Sequence, residues 1–148
     1  QQTLEWVERA MRKRIDLGFE SAGHPVLIEG QSTMLAEMLN NLIDNALLYT
    51  PEQGWVTVRI GDTPSPYIEV EDSGQGIPEK YRHQIFDRFF RILGTVADGS
   101  GLGLAIVKEI ADQHGALISF MEPGSRAGQP GSTCLRISFL AVSTPHNA

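Results

Sequence analysis

Two asparagines four positions apart are the first residues in this sequence whose type and spacing could do chemistry. On a helix, Glu37, Asn41, Asn45 and Tyr49 stack along one edge, because residues four apart share a face. Two carboxamides one turn apart could offer their oxygens jointly to a hard cation. The row could equally be the polar flank of a helix packed on a sheet, and the helix alone leaves both interpretations open.

A second candidate is Asp72, which ends a strand-like run that begins at Tyr67. Alternation places it on the face of Ile68 and Val70, so its carboxylate points inward, and a buried carboxylate needs a donor. The SGQGIP stretch that follows contains glycines, which allow a tight turn and the close approach of a ligand to the backbone. The alternative is an aspartate that only caps this turn.

A glycine-rich stretch, residues 92–104, leads into an apolar helix pattern that begins at Leu102. Glycines at the start of a helix favour an anion site, because free backbone N–H groups and the positive end of the helix dipole face the loop. The GSGLG segment at 99–103 is not directly preceded by a strand, as a dinucleotide-binding fingerprint requires. The sequence contains no P-loop and no HRD or DFG motif of a protein kinase.

Composition excludes several other classes of function. The chain has 148 residues, is 41% hydrophobic and has a net charge of −6, which fits one domain with a sizeable core. Its basic residues are scattered, so nucleic-acid binding is not expected. The single cysteine, Cys134, excludes a disulfide framework and fits a small buried hydrophobe. The histidines lack the spacing of metal ligands, and His114 is expected to cap the end of a helix.

Targeting signals are not visible in the sequence. There is no signal-peptide pattern and no run of about 18 apolar residues. The chain starts on polar residues without Met, which leads us to expect a piece of a longer protein.

Alternating helices and strands must position the candidate residues. The longest predicted helix covers residues 34–50, weakly capped by Ser32 and ended by Pro51. The other predicted elements are a helix at 4–11, strands at 15–20, 26–29, 55–60 and 67–72, a short helix within 79–91, a helix from 102 to a stop at Gly115, and strands at 117–121 and 133–140. This order predicts helices layered on one face of a mixed sheet.

Four segments resemble, in order, the N, G1, F and G2 boxes of the catalytic, ATP-binding domain of bacterial two-component sensor histidine kinases, a branch of the GHKL ATPases. They are NLIDNALLYT at 41–50, DSGQGIP at 72–78, FDRFFR at 86–91 and GSGLGLAIV at 99–107. Four boxes in the family's order are specific, whereas one box alone is not. The resemblance implies an α+β fold, a two-layer α/β sandwich of the Bergerat (GHKL) type with a mixed sheet covered on one face by helices, over residues 1–142, followed by a flexible tail at 143–148.

The resemblance also implies roles for individual residues. Asn45 would be the principal Mg²⁺ ligand and Asn41 its helper, and these two, with Arg91 reaching the γ-phosphate, would be the catalytic residues. Asp72 would accept a hydrogen bond from the adenine 6-amino group. The remaining ATP-binding residues would be Tyr49 along the adenine or ribose, Gly74, Gly76 and Ile77 lining the base, Gly99, Ser100, Gly101, Leu102 and Gly103 at the phosphates, and Ser132 with its hydroxyl near the base.

The implied reaction is transfer of the γ-phosphoryl group of ATP to a histidine, with the protein positioning the groups and neutralising charge. No histidine here has an HELRTP-like context, so the acceptor is expected on an absent dimerisation and phosphoacceptor domain, with a response regulator as a further partner. We expect a domain that is monomeric in isolation, cytoplasmic within an inner-membrane sensor, and without direct contact to the membrane or to nucleic acid.

Three alternatives remain open from the sequence. Another GHKL ATPase would hydrolyse ATP with a glutamate at the position of Asn41; an anti-sigma-factor serine kinase is similar in size; and a nucleotide-binding module would bind ATP without transferring phosphate. Two features also depart from the family pattern. Leu48 occupies a position that is commonly basic, so one phosphate contact is expected to be missing, and the segment between Arg91 and Gly99 is short for a lid.

Overall fold

A five-stranded mixed sheet carries the helices on one of its faces. The computed structural model describes residues 2–28, 30–88, 103–126 and 128–140. The helices of this described part are Gln2–Lys13 (α1), Ser32–Tyr49 (α2) and Gly103–Gln113 (α3), with 3₁₀ turns at Glu79–Tyr81 and Gln84–Phe86. Its strands are Asp16–Ser21 (β1), Trp55–Gly61 (β2), Tyr67–Asp72 (β3), Leu117–Phe120 (β4), Ser125–Arg126 (β5), Gln129–Pro130 (β6) and Thr133–Ser138 (β7).

The strand order of the sheet is β1-β2-β3-β7-β4. β1 runs parallel to β2, and the other neighbouring pairs are antiparallel. β5 and β6 form a separate two-stranded hairpin. Val70 of β3 lies between Val58 of β2 and Leu135 of β7, so apolar side chains of three strands share one face.

The core lies between that face and the helices. It contains Met38, Leu42, Ile43, Ala46 and Leu47 from α2, Val107, Ile110 and Ala111 from α3, and Val56, Val58, Ile68, Val70, Leu135 and Ile137 from the sheet. The apolar stripe of α2 repeats every three to four positions, and its burial fixes which edge of the helix faces outward. The predicted two-layer α/β arrangement is confirmed.

Polar contacts from α1 hold α2 in place. The indole Nε1 of Trp6 donates a hydrogen bond to Asn40 Oδ1 at 2.6 Å. The last turn of α2 has no basic residue of its own, and Lys13 supplies a cation there by donating to the carbonyls of Leu47 at 2.8 Å and Leu48 at 3.3 Å. A cation at a helix C-terminus is favourable because the last carbonyls carry partial negative charge.

His114 joins the end of α3 to the start of α2. Its Nδ1 donates to the carbonyl of Ile110 at 2.8 Å, and its Nε2 accepts the backbone N–H of Gln31 at 3.2 Å. These two bonds require a neutral ring with the proton on Nδ1. The predicted capping role is therefore confirmed for α3 and extends to α2, and Gly115, at φ +64°, ends α3 as expected.

Three predictions about elements are wrong. Residues 26–28 form no strand, because Leu27 is 67% exposed and a short apolar run does not by itself provide a pairing partner. Ser32 does not cap α2 but is its first residue, and the preceding Gln31 is served by His114 instead of by its own side chain. The single helix expected within 79–91 is two 3₁₀ turns, and its final residues lie outside the described part, as do Glu29 and the predicted tail at 143–148.

None of the helices in the described ranges is both long enough and apolar enough to cross a membrane.

Candidate functional site

Asn41 of α2 lies beside the start of α3. Asn41 is half-buried, and its Nδ2 donates to the carbonyl of Glu37 at 2.9 Å, while its Oδ1 accepts no hydrogen bond from the described residues. A methyl group added to Gly103, the first residue of α3, would lie 3.4 Å from that oxygen. The structure therefore brings one predicted metal ligand next to one predicted phosphate-binding glycine.

Asn45 lies one turn further along the same edge. Its side chain is half-buried, beside the fully packed Leu42 and Ala46. Within the described ranges, no hydrogen bond engages its amide. Two half-buried carboxamides that keep acceptor oxygens available match the oxygen-only ligand set that Mg²⁺ prefers.

The turn after β3 passes directly beneath the end of α2. Asp72 Oδ1 accepts the backbone N–H of Gly74 at 2.8 Å. A methyl group on Gly74 would lie 2.8 Å from the carbonyl oxygen of Tyr49 and 2.9 Å from Asp72 Oδ1, so only glycine fits there without displacing backbone. Gly76 has φ +79°, a conformation that favours glycine. The structure thus brings Asp72, Gly74 and the backbone of Tyr49 together.

The Asp72 carboxyl is poorly compensated. Burial raises its pKa to about 6; the hydrogen bond from Gly74 acts in the opposite direction, and the charge of Glu71 adds to the rise. The geometry of a turn-capping aspartate is present, yet one backbone donor does not offset the burial. The group keeps acceptor capacity and a physical reason to take a further donor.

Ser132 closes the site from the opposite side. Its backbone N–H donates to the carbonyl of Asp72 at 2.8 Å, and its Cβ would lie 3.7 Å from a methyl group on Gly76. Ile77 and Ser132 line a small pocket together with Arg82, Phe120, Met121, Pro123, Thr133 and Cys134. The structure therefore brings together Ser132, Gly76 and Ile77, three residues to which the resemblance assigns a place near the base.

Arg82 and Phe120 are pocket residues that the sequence did not reveal. The guanidinium of Arg82 lies 4.7 Å from the centroid of the Phe120 ring, a cation–π distance. No local motif marks them, because Phe120 reaches the pocket only through the pairing of β4 with β7. Five predicted site residues, Arg91, Gly99, Ser100, Gly101 and Leu102, lie outside the described part of the chain.

The chain is similar in sequence to a known family of ATPases. The model of the family described as "Histidine kinase-, DNA gyrase B-, and HSP90-like ATPase" matches residues 30–142. A curated relative, the signal transduction histidine-protein kinase/phosphatase MprB of Mycobacterium tuberculosis (strain H37Rv), is 37% identical over 134 residues, covering 88% of this chain and 26% of MprB. The chain thus spans about a quarter of the length of this relative.

Solved structures show the same similarity. The mycobacterial sensor histidine kinase MprB matches with a TM-score of 0.75 and 33% identity, over 93% of this chain and 92% of that chain. Histidine kinase ThkA, in complex with the response regulator protein TrrA, matches with a TM-score of 0.70 and 26% identity, over 99% of this chain and 40% of that chain.

Proposed function

Because this chain belongs to the family of histidine kinase-, DNA gyrase B- and HSP90-like ATPases, as a catalytic domain of the two-component histidine kinase type, we propose that it transfers the γ-phosphoryl group of Mg²⁺-bound ATP to a histidine. Domains of this family bind ATP. The observation that carries the proposal is the pair of carboxamides, Asn41 and Asn45, on one edge of α2, with Asn41 beside the start of α3. A hydrolysing relative would need a carboxylate base at Asn41, and an amide cannot accept the proton of water.

The base end of the site lies around Asp72. Its carboxylate accepts a hydrogen bond from the 6-amino group of adenine, which offsets the cost of burying the charge. Ser132, whose Cβ lies next to Gly76, would supply a hydroxyl, and Ile77 would provide apolar surface for the ring. Guanine presents a carbonyl where adenine presents the amine, so Asp72 disfavours GTP.

The phosphate end lies between α2 and α3. Asn45, with Asn41, offers amide oxygens to Mg²⁺, which when bound neutralises phosphate charge. Gly103 at the start of α3 leaves room for the phosphates beside Asn41, and Arg91 and the glycines at 99–101 complete this end in the proposal. The contribution of the protein is to position the phosphates and stabilise their charge, since the acceptor histidine supplies the nucleophile.

The proposal places the acceptor histidine on a dimerisation domain of the parent protein and makes a response regulator the next partner. The ThkA complex with its response regulator supports the second point by similarity. We also propose that the domain is the cytoplasmic part of an inner-membrane sensor.

The test is phosphotransfer to a separately supplied helical partner that carries a histidine. With Mg²⁺ and γ-labelled ATP, we expect acid-labile label on the partner and none stably retained on the chain itself. Asn45→Ala should abolish transfer while circular dichroism stays unchanged, because the residue lies beside the buried stripe. Asn40→Ala, one position off the row, is the matched control and should still transfer.

Normal transfer by Asn45→Ala would return the two amides to the role of a polar flank. Label stably retained on the chain would contradict the absence of an acceptor and direct attention to His83 or His114.

A further inference from the structure

A hairpin lies across the face of the sheet that the helices leave uncovered. We call residues 123–132 the strap; it contains β5 and β6, and its residue 127 is outside the described ranges. Near its tip, Arg126 reaches the far edge of the sheet. Its Nη1 donates to Thr57 Oγ1 at 2.7 Å and to the carbonyl of Val56 at 3.1 Å, and its Nη2 pairs with Asp16 Oδ1 at 2.8 Å. One guanidinium therefore fastens the strap to both β1 and β2.

The sheet is shaped to receive this guanidinium. A methyl group on Gly18 of β1 would lie 2.9 Å from Arg126 Nη2, so the absence of a side chain there makes room for it. The guanidinium also lies 5.8 Å from the centroid of the Trp55 ring. The indole Nε1 of Trp55 donates to the strap carbonyl of Gln129 at 3.2 Å. Three residues of β1 and β2, including Thr57, thus form a seat for the strap.

The base of the strap is fastened separately, at Glu71. The backbone N–H of Gly124 donates to Glu71 Oε2 at 2.5 Å, and the N–H of Gly131 donates to the carbonyl of Gly124 at 2.7 Å. A methyl group on Gly131 would lie 2.6 Å from the same carboxylate oxygen. Gly124 and Gly131 are therefore pressed together against Glu71, with no space for a side chain on Gly131.

The strap ends inside the candidate site. Ser132 follows Gly131 directly, and its N–H donates to the carbonyl of Asp72 at 2.8 Å. It also lies against Gly76. Ser132, which borders the proposed base site at Asp72 and Gly76, is thus the last residue of the strap. The tip of the same strap is held on β1 and β2, on the opposite face of the sheet.

We propose that Arg126 is a positioning residue for base recognition, acting through the strap to hold Ser132 beside Asp72 and Gly76. The inference rests on the proposed function, in which the base binds at Asp72. Among the described residues, the guanidinium of Arg126 lies against Asp16, Gly18, Val56, Thr57 and Trp55, and it forms no hydrogen bond or ion pair with Asp72, Gly76, Ser132 or the asparagines of α2. Releasing it should let Ser132 shift and should loosen selection between bases more than it weakens the grip on phosphates.

The experiment measures the ratio of GTP to ATP dissociation constants by calorimetry, with Mg²⁺ present, for the chain and its variants. Arg126→Ala should reduce that ratio about three- to tenfold, in the range of coupling that remote positions exert on a site. Trp55→Phe removes the bond to Gln129 and part of the ring that lies against Arg126 and Gly131, and should change the ratio in the same direction. Arg12→Ala, an exposed arginine on α1, is the matched control and should leave it unchanged. Melting curves accompany each variant.

A preserved ratio in Arg126→Ala and Trp55→Phe would overturn the inference, even if both variants bound ATP more weakly, because equal loss for both nucleotides is general destabilisation. That outcome leaves the proposed function intact as long as Asp72→Ala abolishes the preference of the parent chain for ATP. A parent chain with no preference between the nucleotides would overturn the proposed base site, and the inference with it.

Discussion

Glu71 and Asp72 are neighbours in the chain but lie on opposite faces of the sheet, and their surroundings differ in kind. Glu71 is 2% exposed, and both its oxygens have partners: Arg59 Nη1 at 2.7 Å and the N–H of Gly124 at 2.5 Å. Within the described residues, Asp72 has one donor, the backbone N–H of Gly74, and burial raises its pKa to about 6. The described residues thus provide partners for both oxygens of Glu71, whereas Asp72 keeps acceptor capacity for a ligand.

Other carboxylates on the strap-covered face are paired within the protein, as Glu71 is. Arg59 pairs with Glu20 at 3.0 Å and Glu69 at 2.8 Å as well as with Glu71, and Arg136 Nε pairs with Glu69 at 2.7 Å. Burial alone would raise the pKa of Glu69, but hydrogen bonds from Arg136 and Arg59 outweigh it and hold the pKa below its ordinary value. These charged side chains therefore pair with one another and stabilise this face of the sheet.

The same comparison explains why a buried cysteine and two glutamates on this face are not a metal site. Cys134, Glu69 and Glu71 come close enough to share an ion. However, both carboxylates are already engaged by arginines, and burial, followed by the two negative charges, raises the pKa of Cys134 to about 12. A thiol held protonated is a poor ligand. Nearby side chains that could bind a metal indicate a metal site only where their ligand atoms are not already engaged by other protein groups.

The largest expected effect is on stability, at Glu71. Glu71→Ala should lower the free energy of unfolding by about 2–4 kcal/mol, because it strips Arg59 of one partner and Gly124 of its acceptor. The loss stays below that of an isolated buried pair because Arg59 keeps Glu69. Asp72→Asn is the control on the other face, and urea unfolding compares the two. A fully stable Glu71→Ala would remove the distinction between the faces.

The second effect is on binding, at Asp72. Asp72→Ala should weaken ATP by about 1.5–3 kcal/mol, the range for a hydrogen bond to a charged group, or about ten- to 150-fold. GTP, which lacks the 6-amino donor, should lose less. Calorimetry with both nucleotides measures the difference. Unchanged ATP affinity in the variant would mean that Asp72 only caps its turn.

The third effect is a pH dependence with opposite signs for binding and folding. The folded pKa of Asp72 is raised from 3.8 to about 6, so the charged form that we propose binds adenine is lost as pH falls through 6. ATP affinity should fall about tenfold from pH 7 to pH 5, and this step should be missing in Asp72→Asn.

Folding responds in the other direction. Stability that depends on the neutral Asp72 carboxyl is fully present below pH 3.8 and is lost as pH rises through about 6. Asp72→Asn should therefore be more stable than the parent chain above pH 6 and bind ATP less well. Equal melting temperatures of the two proteins at pH 8 would contradict the idea that Asp72 is an uncompensated charge.

Sequence patterns predicted the helix-covered face well and the strap-covered face poorly. The period of α2 and the alternation of β3 are local, and they gave both the asparagine row and the inward Asp72. The partners of Glu71 are far away in sequence: Arg59 is on another strand, and Gly124 is in a hairpin whose course depends on Arg126 reaching β1. No spacing rule contains such contacts. For the same reason, the sequence did not predict that His114 accepts a hydrogen bond from Gln31, which lies 83 positions away.

The smallest effect concerns a positive charge added to the helix-covered face, where we propose that the nucleotide binds. The strap-covered face already contains paired arginines. Leu48 is half-buried and does not belong to the buried core, and it follows Asn45 by three positions, so its side chain projects near the same edge. Leu48→Lys should tighten ATP by about 0.5–1 kcal/mol, as expected for one partly exposed charge contact, and the gain should shrink with salt. Leu48→Gln controls for polarity without charge. ATP titrations at low and high salt, with thermal melts, separate the outcomes. A lower melting temperature without tighter binding would mean that Leu48 contributes packing beside Leu47 and that the phosphate cation comes from elsewhere. Lys80 is then the first candidate, since Lys108 is already paired with Asp112 at 2.8 Å.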